Sequence, residues 1–265
     1  MISLKTAEEI ELLRKSNLLV SKTLAEVARN IRPGITTKAL DNIAEQFIRD
    51  HGGVPAFLGY RGYPTTLCTS VNSVVVHGIP SEYRLKEGDI ISVDCGAILN
   101  GYVGDSAYTF PVGEIDPYVY RLLKVTYESL FLGIQQAVEG KRVGDIGYAV
   151  QIHAEQNGYS VVREMVGHGI GKDLHEEPEV PNYGRKGTGA KLRQGMVICI
   201  EPMINMGTRF IVQESDGWTI RTSDNLPSAH YELAVAIGKE KTDILSTFSY
   251  IEEVMNIFNN KQKNG

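Results

Sequence analysis

The chain has 265 residues, 42% hydrophobic and 22% charged, with a formal net charge of −5. That length suffices for a substantial core, and the composition is that of a soluble globular protein rather than a disordered or fibrous one. The acidic balance argues against a general nucleic-acid binder, and no apolar run approaches the ~18–20 residues of a membrane span.

The N-terminal stretch Met1-Ile2-Ser3-Leu4-Lys5 does not have the form of a signal peptide, so a cytoplasmic protein is expected. Thr6 and Glu9 have the capping-box spacing. Ile10, Leu13, Val20, Leu24, Val27 and Ile31 follow on one helical face, ended by Arg32-Pro33-Gly34. A second helix is predicted from about Thr37 to His51, closed by Gly52-Gly53. Strand-like sequence comes next, at Val74-Val75-Val76 and Ile90-Ile91-Ser92-Val93. Asn100-Gly101 between β-rich runs signals a hairpin. Asp116-Pro117 opens a third helix that the pattern carries to Gly140, and a fourth runs from about Asp145 to Asn157-Gly158. Strands then return. From about residue 240 the pattern is a weak amphipathic tail, predicted to be flexible to its end at Gly265. Cys68, Cys95 and Cys199 form no close pair and read as small buried hydrophobes of a reducing compartment.

The order of these elements repeats. At an offset of 106, Gly34, Leu40, Ile43 and Gly52 fall on Gly140, Ile146, Ala149 and Gly158. At 107, Leu85-Lys86-Glu87-Gly88 falls on Leu192-Arg193-Gln194-Gly195, and Asp94 falls on Glu201. His77-Gly78-Ile79 resembles His168-Gly169-Ile170. Two related halves follow, each helix, helix, then antiparallel strands: one α+β domain with pseudo-two-fold symmetry. A site between them would draw ligands from both.

Five residues stand out chemically. A two-residue turn at Asn100-Gly101 makes opposed residue numbers sum to 201. Asp94 then faces Ala107, and Asp105 is its diagonal neighbour on the same face, roughly 7–8 Å away. A bulge at Gly104 would change that register. Either Asp alone also reads as a solvated strand-end residue. His168 sits among glycines that permit close backbone approach or positive φ, and alone it also reads as a hydrogen-bonded loop residue. The glycines lack a following Lys-Ser or Lys-Thr, so nucleotide binding is rejected. Glu201 ends the apolar run Met196–Ile200, and Glu232 borders another. A buried, unpaired acid there is costly, so each either emerges at a strand end or binds a cation. Taken together, four carboxylates and one imidazole suit a pair of divalent ions, bridged at ~3.5–4 Å.

Further stretches in the same order carry a resemblance. They are Gly59-Tyr60-Arg61-Gly62-Tyr63-Pro64, Val76-His77-Gly78-Ile79-Pro80 and Gly88–Asp94. Gly101–Ser106, Gly167–Gly171, His175-Glu176-Glu177-Pro178, Ile200–Met203 and Tyr231-Glu232 continue them. From about Thr6 to Lys239 the chain resembles type I methionine aminopeptidases of the pita-bread fold (peptidase family M24). The resemblance implies a single catalytic domain over residues 1–265 with antiparallel sheets flanked by helices. It implies removal of the N-terminal Met of nascent polypeptides, by hydroxide attack on the first peptide bond at a dinuclear site holding Co, Mn, Fe or Zn. Asp94 would chelate one ion, Asp105 and Glu232 would bridge both, and His168 and Glu201 would complete the second. Glu201 would also shuttle a proton. His77 and His175 would contact substrate, with His175 stabilising the tetrahedral intermediate. Tyr60, Tyr63, Cys68 and Trp218 would receive the Met side chain, although aromatics at such positions also read as plain packing.

Departures from the family pattern are Phe57, often smaller in relatives, Leu174, often larger, and Arg61, where several relatives have His. The short bacterial-like form is implied, without an N-terminal Cys/His-rich extension or the type II insertion. A monomer with no membrane or specific nucleic-acid partner is expected. A transient ribosome contact suits an enzyme of nascent chains, though no basic tail supports it. Rival readings are a Xaa-Pro aminopeptidase or dipeptidase of the same fold, and a non-catalytic pita-bread module that binds peptides.

Overall fold

The computed structural model describes residues 2–255. Helix α1 (Ala7–Ala28) starts at the predicted capping box, with Thr6 accepting from the Glu9 amide and Glu9 accepting from the Thr6 amide. Helix α2 (Thr37–Asp50) is capped by Thr36, and Gly52 takes positive φ just beyond it. In the second half these have counterparts in α3 (Pro117–Ile134) and α4 (Val143–Gln156).

The main sheet is built from strands β1 (Leu67–Val71), β2 (Ile90–Leu99), β3 (Tyr102–Pro111), β4 (Gly167–Gly169), β5 (Glu176–Val180), β6 (Val197–Ile200) and β7 (Glu232–Ala236). Short strands Val54–Pro55 and Asp243–Ile244 pair with β2 and β7. The central path runs β2-β3-β7-β6-β4-β5 and every recorded pairing is antiparallel. Two small three-stranded sheets flank it, one of Ser160–Val161, Met203–Asn205 and Ser228–His230, the other of Val74–Val76, Ile211–Gln213 and Ile220–Thr222. The four helices and the main sheet share one apolar cluster that includes Leu24, Leu40, Ile91, Leu130, Ile146 and Ile198.

The duplication is visible in the backbone. Gly34 donates to Leu85 O at 2.7 Å, and its counterpart Gly140 donates to Leu192 O at 3.0 Å. Leu85 donates back to Ile35 O, as Leu192 does to Lys141 O. Gly34 and Gly140 both have φ of 89°, and Gly88 and Gly195 have 87° and 88°, values that glycine adopts without a Cβ penalty. The likeness of His77-Gly78-Ile79 to His168-Gly169-Ile170 is not part of this symmetry. His168 lies in β4, paired with β6, whereas the strand that pairs with β2 in the first half is β1. His77 follows Val74–Val76 with φ of 60°.

Two expectations need correction, while the register counted for the hairpin stands. Gly104 makes no bulge: the pairing of β2 with β3 is unbroken from Ile90↔Pro111 to Leu99↔Tyr102. A Cβ at Gly104 would lie 2.4 Å from Ser16 C, so the glycine instead lets α1 seat against the hairpin. The third helix ends at Ile134 rather than near Gly140, because the Thr242 hydroxyl, bridging Ile134 O and Ala137 O, tethers the turn there. The first helix likewise gives way after Ala28, before Pro33.

The tail from about residue 240 is packed as far as residue 255, and residues 256–265 lie outside the described ones. Leu245, Phe248, Ile251 and Val254 are all buried, at successive steps of three. Ala234 donates to Ser246 Oγ and Thr247 donates to Ser21 Oγ. The Phe248 ring lies 5.0 Å from Tyr108 and 6.1 Å from Tyr231. A weak amphipathic pattern is here a core element docked by aromatics. Truncating Phe248 to Ala is expected to cost ~3–5 kcal/mol of stability, read by urea unfolding. A midpoint like that of the parent protein would contradict the packing described.

Candidate metal centre

The site is assembled by strand register. Asn100 (φ 53°) and Gly101 (φ 77°) form the tight turn of the β2/β3 hairpin, whose opposed residues sum to 201 as the turn length requires. Asp94 therefore faces Ala107, and Glu232 of β7 faces Ala107 from the other side. The β7/β6 ladder is recorded to Leu233↔Ile200, so the next step brings Glu232 opposite Glu201. A row Asp94–Ala107–Glu232–Glu201 thus crosses four strands. Asp105 stands two residues from Ala107, on the same face. The small, fully buried Ala107 leaves space at the centre of the row.

Three of the acids are held from behind. The Asp105 amide donates to Asn17 Oδ1 of α1 at 3.2 Å. Ser106 Oγ donates to Glu232 O at 2.7 Å, and Asn182 Nδ2 donates to Glu201 O at 3.0 Å. His168 comes from β4. Neither flanking glycine is among the positive-φ residues; a Cβ on Gly167 would meet Cys199 O at 2.3 Å, and one on Gly169 would meet Glu177 O at 2.3 Å. The glycines are thus needed for strand approach. His168 Nδ1 lies 2.9 Å from Gly169 O, which assigns it the proton. The lone pair of Nε2 then points inward, 3.6 Å from Asp105 Oδ2 and 3.5 Å from Glu201 Oε1.

This is a cluster of acceptors. Asp94 Oδ1, Asp105 Oδ1, Glu201 Oε1 and Glu232 Oε1 are buried with no hydrogen-bond partner among the described residues. Burial raises all four carboxyl pKa values, and for Asp105, Glu201 and Glu232 the charges of neighbouring acids raise them further. Burial also holds His168 neutral, with a pKa lowered to about 4. Unpartnered oxygens converging with one imidazole nitrogen are what a divalent cation satisfies, so the donor set fits a metal.

Asp105, His168, Cys199 and Glu232 each offer a ligand-type atom, and these lie within 4.8 Å of one another. Cys199 was not expected at the site. The available signal is strand alternation, which puts it on the face of Glu201 two residues away. Its thiol is pushed far up by burial and by the charges of Glu232, Asp105 and Glu201, so it stays protonated, and the carboxylates are the better cation ligands.

Above this floor lies a cavity of about 210 Å³, and every side chain expected at the site lines it. Tyr60 Oη is 2.8 Å from His175 Nδ1, and the His175 ring lies 4.3 Å from that of His168. Lys5 pairs with Glu176 at 2.5 Å and Glu176 accepts from the Lys172 amide, which anchors the segment carrying His175. The small flanking sheet supplies His77 and Trp218. Tyr63 packs edge-on against Trp218 at 5.1 Å and donates to Leu67 O and Gly78 O. Asp41 of α2 accepts from the Thr66 and Leu67 amides, fixing the entry to the strand that bears Cys68. Burial lowers the His77 pKa to about 4, and burial followed by the Arg61 charge lowers that of His175. Phe57, Arg61 and Leu174, the departures from the family pattern, complete the lining.

Comparison with known proteins agrees with this geometry. The profile of metallopeptidase family M24 matches residues 11–230, stopping two residues before Glu232. A methionine aminopeptidase of Clostridium acetobutylicum is 51% identical, over 93% of this chain and 99% of that protein. The Bacillus subtilis methionine aminopeptidase 1 is 48% identical, over 93% and 99%. The crystal structure of the Rickettsia prowazekii methionine aminopeptidase superposes with a TM-score of 0.92 at 40% identity, covering 93% of this chain and all of that one. A Pyrococcus furiosus prolidase, at 23% identity and a TM-score of 0.74, shares the fold, and this chain covers 65% of it.

The raised carboxyl pKa values predict a pH dependence. The folded state binds these protons more tightly than the unfolded one, so the stabilisation is full at low pH and is lost as pH rises through the raised values. The lowered histidines act in the opposite sense, but only below their ordinary value of 6.5. From about pH 6.5 to about pH 8 the thermal midpoint of metal-stripped protein should therefore fall, and added Mn should suppress the fall. A midpoint that stays level or rises without metal would contradict the clustering.

Proposed function

The chain belongs to metallopeptidase family M24, among its type I methionine aminopeptidases, and we propose how its cavity carries out that reaction. The enzyme hydrolyses the first peptide bond after an N-terminal Met and depends on divalent metal. The observation that carries this reading is the convergence of Asp94, Asp105, Glu201 and Glu232, each with a buried carboxylate oxygen that lacks a hydrogen-bond partner, with His168 Nε2 at the floor of a largely apolar cavity.

Asp94, Asp105, His168, Glu201 and Glu232 would hold two cations between them. When bound they supply Lewis acidity and a nucleophile active near neutral pH. Mn, Fe, Co and Zn all accept such a donor set, and availability selects among them. The chain's own residues do the rest. The floor is closed by the sheet, so only a peptide with a free first residue fits. Tyr60, Tyr63, Cys68 and Trp218 enclose the thioether side chain, with Phe57 and Leu174 beside them. His77 and His175 are both neutral near pH 7. With Tyr60 Oη donating to His175 Nδ1, the imidazole proton sits on Nε2 and donates to the carbonyl oxygen as charge develops there. Glu201 takes the proton of the attacking water and passes it to the departing amine. We read residues 1–265 as one catalytic domain.

The test is hydrolysis of Met-Ala-Ser, Leu-Ala-Ser and Ala-Pro-Ala by metal-stripped protein with Mn or Co restored. Release of Met alone is expected, with none from His168→Ala. His175→Ala should lower kcat by ~10²–10³. Cleavage before Pro instead would assign the Xaa-Pro class, and absence of turnover with either metal would assign a peptide-binding module.

A further inference from the structure

One side chain of the cavity takes no part in the mechanism above. Arg61 lines it beside Tyr60 and His175 but is itself exposed. Among the described residues it forms no ion pair and no side-chain hydrogen bond. Its guanidinium carbon lies 5.3 Å from the Tyr60 ring centroid. That same Tyr60 holds His175. The backbone at Arg61 is left-handed, with φ of 48° and ψ of 25°, between Gly59 at φ 85° and Gly62 at φ 88°. A non-glycine residue pays a conformational cost there, and such costs concentrate at functional sites.

The charge pattern of the cavity is polarised. The acids lie at its floor, where a cation is needed, and a free guanidinium stands at the exposed edge, beside Tyr60 and His175. A peptide whose first residue occupies the floor advances at most ~3.3–3.6 Å per residue toward solvent. The residues after the scissile bond leave the cavity past the exposed edge where Arg61 stands. The guanidinium is a planar donor suited to carboxylates.

We propose that Arg61 is a specificity-determining residue that binds a carboxylate of the substrate downstream of the scissile bond. That carboxylate is the side chain of an acidic third or fourth residue, or the free C-terminus of a short peptide. The inference rests on the aminopeptidase reading above.

The experiment compares kcat/KM of the metal-loaded enzyme for Met-Ala-Asp-Leu-amide, Met-Ala-Ser-Leu-amide and Met-Ala-Lys-Leu-amide, and for Met-Ala-Ser as free acid and as amide. Parent protein, Arg61→Lys, Arg61→Gln and Arg61→Glu are measured. Ratios are taken within each variant, so a general loss of turnover cancels. The parent should favour Asp over Lys, or free acid over amide, by roughly two- to fivefold at low salt, as befits an exposed ion pair. The first preference assigns the side-chain carboxylate and the second the terminal one. The difference should reside in KM and shrink in 1 M salt. Arg61→Lys should keep part of it, Arg61→Gln should abolish it, and Arg61→Glu should invert it. Equal ratios in the parent and Arg61→Glu overturn the role of Arg61. If the parent releases no Met from the neutral Ser peptide, the aminopeptidase reading falls, and this inference with it.

Discussion

Four carboxylates share one face of one sheet, and they cannot all be ionised there unless a cation sits among them. Most of what positions the site follows from that constraint. Asp94 and Glu232 flank Ala107, whose methyl group leaves the middle of the row empty. Asp105 and His168 close the row from two sides, and the His168 proton is engaged by Gly169 O so that its lone pair faces inward. A larger residue at 107 would fill the space where the acids converge. Without a cation the relief is protonation: burial displaces every carboxyl pKa in the cluster upward, and for Asp105, Glu201 and Glu232 the neighbouring acids add to it.

The duplicated architecture makes such a row possible. Each half brings a helix pair and an antiparallel ladder, and the halves meet where β3 pairs with β7. Asp94 and Asp105 come from the first half and His168, Glu201 and Glu232 from the second. Neither half holds a complete donor set. The glycines at 104, 167 and 169 serve the same end, because each allows a backbone approach that a Cβ would block. Close approach keeps the ladder dense enough for side chains on four strands to meet.

Much of this was legible in the sequence, for identifiable reasons. A two-residue Asn-Gly turn leaves one register open, so the pairing of Asp94 with Ala107 could be counted from residue numbers. The capping box at Thr6 and the Asp116-Pro117 opening are local signals, and both helices begin there. The roles of His77, His175 and the aromatic wall came only from resemblance, since a His or Tyr in a loop is equally a packing residue. What escaped was tertiary. Cys199 is buried as expected, but that its thiol meets the acids follows only once Glu201 is known to continue its strand. The third helix stops at Ile134 through Thr242, more than a hundred residues away in sequence. The segment after residue 240 looked loose because its apolar residues gain partners only from distant parts of the chain, as Phe248 does from Tyr108, Tyr127, Phe131 and Tyr231. Arg61 was visible as a departure from the family, but its free charge and left-handed backbone required the folded chain.

The most direct test of the central claim is calorimetric titration of Mn into metal-stripped protein near pH 7.5, repeated in two buffers of different ionisation enthalpy, with Ala107→Leu as the comparison. If the acids hold protons until a cation displaces them, the parent will bind two ions and release protons, seen as a buffer-dependent enthalpy. Ala107→Leu will keep its far-UV spectrum and bind weakly or not at all. Absence of binding by the parent, or binding without proton release and untouched by Ala107→Leu, would contradict the account.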